Sequence, residues 1–162
     1  MLHIIFGKIP QVKLHYHVSL GRISEGKIFA SKHDERVILD VDGNVLIDLN
    51  NYGHMVENVY GFHNGVGLIE FSDKYVAFIN TNGSFLFEPV KGTVRMYDKE
   101  HDMAIINDEG NEQVFILDIN GSKQIFEGIV PTSYNYFYTT YEGENYWIVE
   151  SLNRGLKVHH LQ

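Results

Sequence analysis

Apolar positions in this chain come in short runs broken by Asp, Asn and Gly, and no window carries a helical stripe. Three segments share one layout, residues 37–48, 76–88 and 114–127. Each has an apolar run, then Asp40-Val41-Asp42-Gly43, Asn80-Thr81-Asn82-Gly83 or Asp118-Ile119-Asn120-Gly121, then a second apolar run ending in an acid. The glycines Gly43, Gly83 and Gly121 are 40 and 38 residues apart, and Gly155 in a weaker fourth copy follows 34 on. Asp-Gly and Asn-Gly both accept positive φ, so the expected link is a hairpin closed by a two-residue type I′ turn. β-branched and aromatic residues on both sides favour strands.

A further strand precedes each hairpin: Lys27-Ile28-Phe29-Ala30, Val66-Gly67-Leu68-Ile69, Met103-Ala104-Ile105-Ile106 and Tyr136-Phe137-Tyr138-Thr139. Polar turns at residues 33–35, 72–74, 108–111 and 142–145 separate it from the hairpin. Residues 50–59 and 91–100 read as connectors with room for a short extra strand. The central runs, such as Val37-Ile38-Leu39 and Phe115-Ile116-Leu117, are apolar on both faces. A meander of this size cannot bury two faces alone, so its neighbours must cover it. The expected fold is all-β: tandem three- to four-stranded antiparallel meanders stacked as a small or partial β-propeller, or as an open row of sheets. One domain spans residues 1–162, with N-terminal strands in 1–22 and units near 23–60, 61–98, 99–131 and 132–162. Residues 11–18 alternate in the manner of a strand that completes a terminal unit.

The second copy, Phe62-His63-Asn64-Gly65-Val66-Gly67-Leu68-Ile69 followed by Lys74-Tyr75-Val76-Ala77-Phe78-Ile79-Asn80-Thr81-Asn82-Gly83-Ser84-Phe85-Leu86-Phe87-Glu88-Pro89, resembles the WG repeat of bacterial proteins. Tyr75-Val76 stands where that family has Trp-Gly. The resemblance runs over about residues 23–130 and implies a β-rich binding scaffold.

Composition narrows the function. The 162 residues are 44% hydrophobic and 21% charged, the balance of a chain that builds a core. Without cysteine there is no disulfide scaffold, thiolate metal site or cysteine nucleophile. A net charge of −8 argues against nucleic-acid partners. No apolar run is long enough for a membrane span and the first residues lack a basic leader, so the expected setting is the cytoplasm, a virus-infected host's or virion included.

Candidate chemistry is sparse. His15 and His17, alternating on a strand, are matched at the other end by His159 and His160, a set with the donor type for a transition metal. Solvent-facing histidines are the preferred reading. Asp40-Val41-Asp42-Gly43-Asn44 has the opening of a calcium loop without its later ligands or helices, and turn formation accounts for it. The acids Asp34, Glu35, Asp73, Asp108, Glu109, Glu112, Glu142 and Glu144 sit in or beside turns, where they either face a basic partner or keep the surface soluble. Tyr134, Tyr136, Tyr138, Tyr141 and Tyr146 crowd around the single tryptophan, Trp147. Rings with polar tips suit an interface or a sugar platform, and core packing explains them as readily. Nucleophile elbows, phosphate loops, dinucleotide fingerprints and His-Glu-x-x-His helices are missing.

The expected function is a non-catalytic module, with no cofactor or metal, that binds another macromolecule, most simply a protein, as a scaffold or viral host-interaction component. Tyr134, Tyr136, Tyr138, Tyr141 and Trp147 are the candidate contacts. The alternatives are a carbohydrate-binding or carbohydrate-active module and a metal site built from the terminal histidines. Open sheet edges offer a route to self-association.

Overall fold

Each Gly-containing turn folds around the side chain that opens it. Asp40 Oδ1 accepts the backbone N–H of Asp42 at 2.9 Å and of Asn44 at 2.8 Å. Asn80 Oδ1 takes Asn82 and Ser84 at 2.9 and 3.0 Å, and Asp118 Oδ1 takes Asn120 and Ser122, both at 2.9 Å. In each, the glycine N–H returns to the carbonyl of the opening residue. Gly43, Gly83 and Gly121 sit at φ 86°, 83° and 82°, whereas Asp42, Asn82 and Asn120 keep negative φ. The turns are therefore three-residue loops with one left-handed glycine, not the expected two-residue type I′ turns. The Asx side chain supplies two acceptor contacts that a type I′ turn would not use. Two-residue turns with both positions at positive φ occur elsewhere, at Glu25-Gly26, Asn64-Gly65 and Glu142-Gly143.

The computed structural model describes residues 17–132, 134–151 and 155–161, and their side chains except at 17–23, 32, 151 and 161. Four antiparallel sheets follow one another along the chain. The first holds β1 (His17–Ser24), β2 (Lys27–Lys32), β3 (Glu35–Leu39) and β4 (Val45–Asp48), and a single 3-10 turn, Leu49–Tyr52, leads out of it. The second holds β5 (Val56–His63), β6 (Val66–Phe71), β7 (Tyr75–Asn80) and β8 (Val90–Lys91). The third holds β9 (Thr93–Asp98), β10 (Met103–Asp108), β11 (Gln113–Asp118) and β12 (Lys123–Ile125). The last has three strands, β13 (Tyr134–Tyr141), β14 (Glu144–Ser151) and β15 (Gly155–Leu161). The fold is thus all-β, a series of up-and-down meanders of the β-propeller type. Among the described residues no helix is long and apolar enough to cross a membrane.

Two segments read as connectors contain full strands, β5 and β9, which open their sheets. The run after Gly83 is not the continuous strand expected from its sequence. Leu86 donates to the Phe78 carbonyl, the chain then swings out, and pairing resumes only at Val90 opposite Val76. Pro89 has no N–H to give a ladder, and Phe87 turns inward to meet Phe78 at 6.0 Å between centroids.

The described residues form two compact units, one of the residues up to Asp73 with Ile79–Ser84, the other of Lys74–Phe78 with those from Phe85 onward. In the first, Ser24 Oγ accepts the Phe62 N–H at 2.7 Å and Glu25 Oε2 accepts the Gly65 N–H at 3.0 Å. Tyr52 Oη donates to the Gly83 carbonyl at 2.6 Å, and burial pushes that phenol up to about 12. In the second, a core of Ile105, Val114, Ile116, Phe126, Ile129, Tyr134, Trp147 and Val149 joins the third and last sheets.

Among the described glycines Gly92 has the least room for a side chain. It sits at φ 141°, and a Cβ there would lie 2.4 Å from Ile106 Cγ2 and 2.9 Å from the Asn107 carbonyl oxygen. Gly143, at φ 81°, has open space around it. Gly92→Ala should lower stability by about 3 kcal/mol, from strain plus overpacking, and Gly143→Ala by only about 1 kcal/mol. Urea unfolding of the two variants checks the difference.

Candidate functional site

The last sheet carries the aromatic cluster, and its alternation divides the rings between two faces. Tyr134, Tyr136 and Tyr138 lie on one face of β13, and Trp147 of β14 stands opposite Tyr138 on that face. Phe137 and Tyr141 lie on the other face with Ile148 and Val158, in the cross-strand row Phe137–Ile148–Val158.

The first face is largely core. Tyr134 is buried, and its hydroxyl donates to Asn107 Oδ1 at 2.5 Å; burial pushes the phenol far above its ordinary value. Tyr136 is half-buried, 5.8 Å from Trp147, with the Arg95 guanidinium 5.7 Å from its ring centroid. Trp147 is buried and donates its Nε1–H to Asp98 Oδ2 at 3.2 Å. Tyr138 alone of the four stands out, 48% exposed, edge-on to Trp147 at 5.6 Å and 5.8 Å from the His101 ring.

Under Tyr138 lies a cleft of about 310 Å³ lined by Met96, Asp98, His101, Tyr138 and Trp147, with Lys99 and Glu100 at its rim. Asp98 organises it. One carboxylate oxygen accepts the backbone N–H groups of Glu100 and His101, both at 3.2 Å, and the other takes His101 Nδ1 at 2.8 Å and the Trp147 indole. A carboxylate with four donors has no acceptor capacity left for a sugar hydroxyl or a metal. Its bond to Nδ1 leaves His101 Nε2 toward Asn145 Nδ2, 3.4 Å away. Asp98 and His101 were not among the sequence candidates, although Asp98-Lys99-Glu100-His101 has the spacing of an Asx turn capped by its own histidine.

The second face is open. Phe137, Tyr141, Leu156 and Val158 are all more than half exposed. Leu156 and Val158 were not candidates either, nor was Phe137. Phe137 stands between two tyrosines, and Val158 between a lysine and a histidine.

The remaining candidates separate. His15 lies outside the described residues, as does the side chain of His17. His159 and His160, adjacent on β15, point to opposite faces. His159 meets Phe126 edge-on at 6.4 Å, and burial followed by the neighbouring His160 lowers its pKa. His160 bonds Glu144 at 2.8 Å. Among the described residues no group of three His, Asp or Glu side chains converges on a metal position. Of the turn acids, Asp73 binds His54 at 2.6 Å, Glu109 binds Lys74 at 2.7 Å and Asp108 caps Asn111, so these serve the fold locally. Asp40, expected as a turn former, is held below the usual carboxylate range by the Asn44 side chain and the turn amides.

No protein-family model matches this chain, and no curated protein matches it in sequence. Solved structures do. The computationally designed Ika8 protein is similar at 14% identity and a TM-score of 0.56, over 86% of this chain and 44% of that one. BamB from Moraxella catarrhalis is similar at 10% identity and a TM-score of 0.48, over 84% and 46%. The N-terminal domain of Nup159 is similar at 11% identity and a TM-score of 0.47, over 86% and 46%. The chain spans less than half the length of each, and at such identities the likeness to Ika8 is one of fold.

Removing the organising carboxylate tests the cleft. Asp98→Ala leaves the buried indole N–H and the turn amides without their acceptor and should cost about 2–3 kcal/mol. Tryptophan fluorescence should shift to the red, and thermal unfolding should show the loss.

Proposed function

We propose that this chain is a non-catalytic β-repeat module that binds another protein through the last sheet. The observation that carries the reading is the exposure there of Phe137, Tyr138 and Tyr141 together with Leu156 and Val158. Large rings with two side-chain torsions lose little entropy on docking, and aromatic anchors supply most of the energy in protein interfaces. The saturation of Asp98 works against the carbohydrate alternative, because the acid best placed under Tyr138 has no lone pair to offer. The repeated Asx turns at near-constant spacing support a scaffold of the WG-repeat type. Within this proposal the setting is cytoplasmic, as a bacterial scaffold or as a viral protein acting on a host partner.

The test is selection of binders from a displayed peptide library by the full chain, with a glycan array run beside it. Selected peptides should lose at least tenfold in affinity on Tyr138→Ala or Tyr141→Ala, about 1.4 kcal/mol or more. Glycan binding without peptide binding, or peptide affinities unmoved by both substitutions, would contradict the reading.

A further inference from the structure

The cleft under Tyr138 is walled by rings. The Trp147 ring stands 5.6 Å from that of Tyr138 and at 62° to it, and the His101 ring lies 5.8 Å from Tyr138. Met96 adds a thioether to the lining. Ring faces carry negative potential and sulfur is polarisable, so such walls attract a cation without offering it a hydrogen bond. The charge behind them has the matching sign. Asp98 is bonded to both the Trp147 indole and the His101 imidazole, and Glu100 stands at the rim, where exposed Lys99 is the opposing charge. A neighbouring ring already holds a cation from within the chain: Tyr136, on the same face of β13, has the Arg95 guanidinium 5.7 Å from its centroid. Among the described residues neither Tyr138 nor Trp147 has such a cation from the chain.

We propose that this cleft binds a quaternary ammonium group, held between Tyr138, Trp147 and His101 with Asp98 behind them. The state of Asp98 selects the methylated cation over the plain one. Its two oxygens already accept the Glu100 and His101 amides, His101 Nδ1 and the Trp147 indole, so it offers charge but no lone pair. A primary ammonium entering the cleft gives up water around three N–H groups and finds that acceptor taken, which costs affinity. A quaternary ammonium has no N–H to satisfy, and its methyl groups carry the charge against the ring faces. Two sources present this group: a small molecule of the choline type, and trimethyllysine in a partner protein. The inference goes beyond the protein-binding reading and does not depend on it, since Phe137 and Tyr141 lie on the opposite face of the sheet.

The experiment titrates the full chain with choline chloride against sodium chloride at matched ionic strength. The emission of Trp147, the only tryptophan, reports occupancy of the cleft. Two analogues run beside it: 3,3-dimethylbutan-1-ol, which has choline's shape without the charge, and ethanolamine, which has the charge with its N–H groups. Choline should bind about tenfold tighter than either. Tyr138→Ala, at a half-exposed ring, should keep the circular dichroism of the wild type and weaken choline by about tenfold, whereas Tyr138→Phe should bind it as the wild type does. A short peptide carrying one trimethyllysine identifies the source: binding tighter than choline assigns the site to a partner's side chain, and binding no tighter assigns it to the free small molecule. Choline and its uncharged analogue binding equally, ethanolamine binding as well as choline, or affinity unmoved by Tyr138→Ala would overturn the proposal. So would an emission that responds neither to choline nor to the peptide.

Discussion

A strand that is greasy on both faces must be covered on both faces. Val76, Ala77, Phe78 and Ile79 are wholly buried although their side chains alternate between the two sides of their sheet, and Val114 to Leu117 are nearly so. Burying each large side chain contributes roughly 1.5–3 kcal/mol, so a lone meander that left one face wet would forfeit much of its stability. Contacts between successive sheets meet this demand inside each unit: Ser24 with Phe62, Tyr52 with Gly83, Trp147 with Asp98. The repeat is a consequence of that mutual cover.

The sheet count and the β-class are legible in the chain because they depend on local signals. Asx-x-Asx-Gly turns and doubly apolar runs place β3, β7 and β11 closely. The geometry of those turns was not legible. The dipeptides Asp42-Gly43, Asn82-Gly83 and Asn120-Gly121 permit either turn type, and the choice falls to Asp40, Asn80 and Asp118, whose side chains collect two amides each. The first strands β5 and β9 were hidden because Glu57, Asn58, Arg95 and half-buried neighbours blur their alternation.

The aromatic cluster shows how far composition reaches. Tyr134, Tyr136 and Trp147 gather as their spacing suggests, but as core, with Tyr134 and Trp147 spending their polar tips on Asn107 and Asp98. Tyr138 and Tyr141 keep a surface role, on opposite faces of one strand. What sequence alone could not reveal is that the exposure continues onto β15, because its exposed apolar residues, Leu156 and Val158, look like any strand interior.

Hydrogen exchange of the full chain, resolved by mass spectrometry, tests the central claim that the inner strands are held by cover on both faces. Amides of β7, β10 and β11 should exchange only through global unfolding, while those of β13, where Phe137 and Tyr141 stand more than half exposed, should exchange orders of magnitude faster through local opening. Protection across β13 equal to that of β10 would contradict the account.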